Sequence, residues 1–141
     1  MKRLTSVEDL RSLQQLLAER QDPGTPTLVV SAGTCGRASG ADGVIQAAED
    51  ALGLQGLTES IRLRVTGCHG FCEVEPSVLV EPRGTFYARV APDDMPRIVA
   101  AVAQGAIVEG LLFVDPATGE PVERQKDIPF FRRQVRALLG F

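Results

Sequence analysis

Three cysteines and one histidine are the residues of this 141-residue chain whose types and spacing point to metal or redox chemistry. Cys68 and Cys72 enclose His69, the sole histidine, with Gly67 and Gly70 beside them. Cys35 lies 33 positions upstream of Cys68 in a second glycine-rich stretch. A Cys-x-x-x-Cys pair among glycines can wrap a loop round one metal ion. Glycine reaches backbone conformations closed to other residues and lets N–H groups approach sulfur. Iron–sulfur clusters are held by thiolates and tuned by N–H donors to those sulfurs. A structural zinc site more often shows Cys-x-x-Cys or paired histidines, and a thiol-redox site wants Cys-x-x-Cys before a helix. Neither cysteine group has that spacing. An odd cysteine count in a reducing compartment argues against a disulfide framework.

These side chains do chemistry together only if the fold brings them together. Residues 4–20 read as an amphipathic helix, with Thr5 and Glu8 at capping-box spacing and Leu4 as a staple. Val7, Leu10, Leu13, Leu16 and Leu17 recur at helical spacing and predict one buried stripe. Thr27 to Val30 reads as a buried strand and Ser31 to Gly40 as a loop. A second helix follows, capped by Ser39 or Asp42, with Val44, Ile45, Ala48, Ala51 and Leu52 on its apolar face. Ile61 to Val65 alternates like a strand with one wet face. Val78 to Glu81 and Thr85 to Val90 read as a β-hairpin about Pro82-Arg83-Gly84. Asp93 and Asp94 open a last helix that buries Met95, Ile98, Val99 and Val102.

A β-α-β unit implies two parallel strands joined by a right-handed crossover. Adding the hairpin and the last helix gives an α/β chain with a four-stranded mixed sheet covered by helices, the layout of the thioredoxin-like fold. The loops after the two parallel strands leave at the carboxyl edge, where open α/β sheets place their sites. Cys35 is thereby delivered beside Cys68 and Cys72.

The chain divides into an N-terminal helix (residues 1–24), a thioredoxin-like unit (25–106) and a C-terminal extension (107–141). In the extension, Pro129 to Leu139 reads as a basic amphipathic segment, suited equally to docking on something larger and to packing on its own domain. Fifteen Lys and Arg against eighteen Asp and Glu give a net charge of −3, which lacks the basic footprint of a nucleic-acid binder. The longest mostly apolar stretch, Ile98 to Val108, is broken by Gln104 and Gly105 and is too short to span a bilayer. The start of the chain has no apolar signal core, so the expected location is cytoplasmic. Glycines 33 to 43 fail the dinucleotide fingerprint. His69 reads best as an exposed loop histidine, Glu73 and Glu75 as solvated side chains, and Pro76 as an ordinary trans proline.

Two motifs carry a resemblance. They are Gly33-Thr34-Cys35-Gly36-Arg37-Ala38-Ser39-Gly40-Ala41 and Val65-Thr66-Gly67-Cys68-His69-Gly70-Phe71-Cys72-Glu73-Val74-Glu75-Pro76. With Asp115-Pro116-Ala117-Thr118-Gly119 and Asp127-Ile128-Pro129-Phe130-Phe131-Arg132-Arg133-Gln134, they resemble a thioredoxin-like [2Fe-2S] ferredoxin domain. That domain stands at the N-terminus of NADH-oxidising flavoprotein subunits. Such subunits occur in complex I-type NADH dehydrogenases, NAD-linked and bifurcating hydrogenases, and NAD-dependent formate dehydrogenases. The resemblance implies an electron-transfer module relaying electrons through a [2Fe-2S] cluster, in contact with other subunits or domains of a multisubunit NAD-linked oxidoreductase. It implies no catalysis by this chain alone. FMN, NADH and a [4Fe-4S] cluster are expected only in a region beyond its last residue.

The family pattern in the first loop is C-x-G-T-x-C-x-x-x-G-A. Laid on this sequence, its first cysteine falls on Ser31 and its second on Gly36, with Cys35 one residue early. Three thiolates remain, from Cys35, Cys68 and Cys72, with Ser31 or His69 as the candidate fourth ligand. Two alternatives stay open: a cluster-free docking or assembly module of the same complex, and a metal such as zinc on the three sulfurs and His69.

Overall fold

The structure is a computed structural model that describes residues 3–20 and 24–134. Its elements are helix α1 (Val7–Arg20), strand β1 (Thr27–Ser31), helices α2 (Thr34–Ala38) and α3 (Ala41–Leu54), strands β2 (Arg62–Thr66), β3 (Val78–Glu81) and β4 (Thr85–Tyr87), and helix α4 (Met95–Ala103). A small hairpin, β5 (Phe113–Val114) with β6 (Pro121–Val122), and helix α5 (Pro129–Arg132) follow.

The main sheet has the order β2-β1-β3-β4. β1 runs parallel to β2, with Thr27 opposite Arg62 and Ser31 opposite Thr66, and antiparallel to β3. This is the expected mixed sheet of the thioredoxin-like layout. Strand side chains alternate between faces, and the alternation divides the core. Leu28, Val30, Val78, Val80 and Tyr87 pack with Val44, Ala48, Ala51 and Leu52 of α3 and Ile98, Val99 and Val102 of α4. On the other face, Phe86 and Leu79 meet Val74, Phe113, Ile128 and Phe131. Burying a large apolar side chain contributes about 1.5–3 kcal/mol, so both layers hold the sheet.

The second layer comes largely from the extension, which pairs with the outer edge of β4. Phe86 N–H donates to the Glu123 carbonyl at 2.8 Å and Ala88 N–H to the Leu111 carbonyl at 3.0 Å. Arg83 Nε reaches Glu123 Oε1 at 2.7 Å and Arg83 Nη1 the Gly105 carbonyl at 2.8 Å. Of the two uses open to the basic segment, its Pro129–Arg132 turn packs on its own domain. Residues 135–141 lie outside the described residues.

Several local expectations are corrected. The leucine stripe of α1 is not buried: Val7 is 59 % exposed, Leu10 46 % and Leu17 50 %. Helical periodicity says which residues share a face, not whether anything covers it. The helix starts one position later than the Thr5 box implies, with Ser6 Oγ accepting the Asp9 N–H at 3.0 Å and Asp9 accepting the Thr5 N–H. The stretch after β1 is not all loop, because α2 forms there. α3 takes Gly40 as its N-cap, with φ +103° and no side-chain cap, rather than Ser39 or Asp42. β4 ends at Tyr87, and Arg89 takes φ +51°. The Glu75–Pro76 bond is cis rather than trans, as is Glu81–Pro82. Among the described residues no helix is long and apolar enough to cross a membrane.

Candidate metal centre

β1 and β2 end side by side, since their last residues, Ser31 and Thr66, are paired. Ala32 N–H donates to the Thr66 carbonyl at 2.9 Å, so the two loops leave the sheet together. The first loop turns at once into α2, which carries Cys35. The second runs through Gly67 to Phe71 and enters a 3-10 turn, Cys72–Val74. Gly33 is where they touch: a Cβ there would lie 2.7 Å from the Cys68 Cβ, so only glycine allows this approach.

The three thiols meet at this rim. Cys68 Sγ and Cys72 Sγ are 3.6 Å apart. The Cys72 thiol is hydrogen-bonded with those of Cys35 and Cys68, and these contacts push its pKa from 9.0 up to about 12. Neighbouring sulfurs cannot all lose protons without cationic compensation, because each thiolate raises the cost of the next. All three cysteines are exposed. Gly70 N–H donates to Cys68 Sγ at 3.1 Å, and Gly70 has φ +88°, a conformation that favours glycine.

The other candidate residues are placed differently. Ser31 is fully buried, with Oγ 3.5 Å from the Gly67 carbonyl, and so faces the second loop. His69 is half-buried, and its Nε2 shares a 3.0 Å hydrogen bond with Thr66 Oγ1. Glu73 is exposed as expected, but Glu75 is buried and its Oε2 accepts the Ser77 N–H at 2.9 Å. The two carboxylates therefore do not share a solvated face: the 3-10 turn breaks the extended geometry that would have aligned them. Gly36 faces inward, where a Cβ would lie 2.7 Å from the Ser31 carbonyl oxygen and 3.5 Å from Glu75 Oε2. Among the described residues, no group of three or more His, Cys, Asp or Glu side chains could hold a metal ion.

An aromatic wall beside the cysteines was not foreseen. Phe71 stacks on Phe130, with ring centroids 4.4 Å apart and planes 13° from parallel, and meets Phe113 and Phe131 at 5.5 and 5.7 Å. The only signal for it in sequence was an apolar pair, Phe130-Phe131, in a charged tail, opposite an apolar residue between two cysteines.

No family model matches the sequence. A protein of Clostridium pasteurianum described as "Ferredoxin, 2Fe-2S" is 30% identical over 69 residues, which cover 48% of this chain and 68% of that protein. The thioredoxin-like [2Fe-2S] ferredoxin of Aquifex aeolicus superposes with a TM-score of 0.58 at 26% identity, over 62% of this chain and 88% of that one. A variant of the Aquifex protein with one cysteine replaced by serine gives 0.57 at 25% identity, over 61% and 95%.

Proposed function

This chain belongs to the [2Fe-2S] ferredoxins of thioredoxin-like fold, and on that premise we propose that it is an electron-transfer module whose cluster is held by Cys35, Cys68 and Cys72, with Ser31 completing the set. One observation carries the reading: the 3.6 Å between Cys68 Sγ and Cys72 Sγ, with Cys72 in contact with the Cys35 thiol. Two thiolates on one tetrahedral metal, with bonds of about 2.3 Å, stand roughly 3.8 Å apart. A [2Fe-2S] cluster takes two protein ligands on each iron, so its footprint is two pairs rather than a triad. Cys68 with Cys72 would supply one pair; Cys35 would supply a ligand of the other, with Ser31 as the candidate to complete it.

Bound there, a cluster supplies reversible one-electron storage. The chain's own residues provide the setting. Gly70 N–H offsets thiolate charge on Cys68. The Cys72 thiol, whose pKa its thiol neighbours push up, must give up its proton for a metal, so metal uptake releases protons. The resemblance to flavoprotein subunits supports a place within a multisubunit NAD-linked oxidoreductase. FMN, NADH and [4Fe-4S] binding would then belong to its other domains or subunits, and this module would pass electrons without catalysing bond chemistry.

A second reading, a cluster-free docking module of the same assembly, has its own support. The family's two first-loop cysteines fall on Ser31, which is fully buried, and on Gly36, where a Cβ would meet backbone. Anaerobic purification and reconstitution with iron and sulfide decide between them. The electron-transfer reading expects visible charge-transfer bands and equal iron and sulfide. A colourless, iron-free protein after reconstitution leaves the docking module.

A further inference from the structure

We propose that Phe130, in the C-terminal extension, is a positioning residue for the Cys68–Cys72 pair. The chain of contacts runs from the extension to the sulfur. α5 presents Phe130, whose ring lies flat against Phe71 at 4.4 Å, while Phe131 meets Phe130 edge-on at 5.0 Å and anchors the turn as a buried side chain. The Phe130 ring edge also comes 3.8 Å from where a Cβ on Gly70 would stand. Gly70 is the residue whose N–H reaches Cys68 Sγ at 3.1 Å, and Phe71 is the N-cap of the turn that begins at Cys72. One aromatic pair therefore braces the residue before Cys72 and the glycine two positions after Cys68.

The physical need for a brace is clear from the loop's composition. Gly67 and Gly70 give the segment freedom it must lose when both sulfurs are held at chelating distance. A ring stack formed in advance removes part of that cost, as preorganisation does in any binding event. Because Phe130 is 38 % exposed, its role is not that of a core residue.

The inference rests on the reading of Cys68 and Cys72 as a ligand pair, and its test needs no iron. Phenylarsine oxide bridges two thiols through one arsenic, so its affinity reports how well the pair is preset. We would measure it on the metal-free full chain in a Cys35→Ser background, where only Cys68 and Cys72 remain to chelate. Phe130→Ala is expected to weaken binding roughly three- to tenfold, the scale of one aromatic pair. Phe130→Tyr, which keeps the stack, should restore it, with far-UV circular dichroism unchanged in both. If Phe130→Ala does not fold, Phe130→Leu keeps the apolar bulk without the flat stack and should show the same loss. A second arm follows chelator-driven iron release from the reconstituted protein, which should be faster in Phe130→Ala by a similar factor. Arsenical affinity that is unchanged in the folded Phe130 variant overturns the proposal, whatever the iron content. A wild-type chain that takes up no cluster, while the variant still loses arsenical affinity, refutes the electron-transfer reading and leaves the positioning role standing.

Discussion

The loop after β2 and the loop after β1 meet at one rim of the sheet, yet they are built to different standards. The second has two cysteines at chelating distance, an N–H donor on Cys68 and an aromatic wall behind it. The first offers one exposed cysteine on the short helix α2, a buried serine and a glycine pressed against backbone. In the proposed metal centre, the contrast means that the second loop sets the geometry and the first decides whether the set is complete.

The largest expected effect separates the two loops directly. Cys68→Ser breaks the chelating pair and should abolish the visible bands of reconstituted protein. Cys35→Ser should keep them, with a shifted spectrum and faster loss to a chelator. Identical behaviour of the two variants would erase the distinction between the loops.

Next comes the wall. Phe131 is 3 % exposed and packs edge-on against Phe71 and Phe86. Phe131→Ala should cost about 3–5 kcal/mol in denaturant unfolding, the usual range for a buried phenylalanine. A loss below about 1 kcal/mol would mean that the extension contributes little to the second loop. On the first-loop side, Gly36→Ala gains about 1 kcal/mol of helix propensity. It also forces a Cβ to 2.7 Å from the Ser31 carbonyl oxygen, so a net loss of about 1–2 kcal/mol is expected. A stabilised variant would show that the first loop has room for a side chain.

The smallest effect concerns protons. The folded chain raises Cys72 from 9.0 to about 12 through its thiol neighbours, so it keeps a proton that the unfolded chain gives up between those values. That stabilisation is complete below about pH 9 and lost as pH rises towards about 12. The melting temperature of metal-free wild type should therefore fall more steeply over that range than that of Cys72→Ser. Parallel curves would mean that the three thiols are not in contact in solution.

How much of this was legible depended on range. The apolar faces of α3 and α4, the strands and the convergence of Cys35 with Cys68 and Cys72 follow from periodicity and from the handedness of one crossover. α2 was missed because Gly33, Gly36 and Gly40 imitate a loop, although a helix as short as Thr34–Ala38 needs little propensity once its neighbours hold it. Glu75 looked solvated because the pattern of residues around it does not show that a 3-10 turn rotates it inward against Ser77. The exposed stripe of α1 and the covered face of Phe71 make one point: both are apolar, and sequence spacing does not say which one finds a partner.

By itself, then, the sequence determined the sheet, its helices and the rim to which each cysteine belongs, because local periodicity and chain handedness leave few other arrangements. Tertiary structure alone decided that Phe130 closes on Phe71, that Glu75 is buried and that position 36 admits no side chain. Those outcomes depend on groups that are distant in the chain coming within van der Waals reach, and no local pattern records such distances.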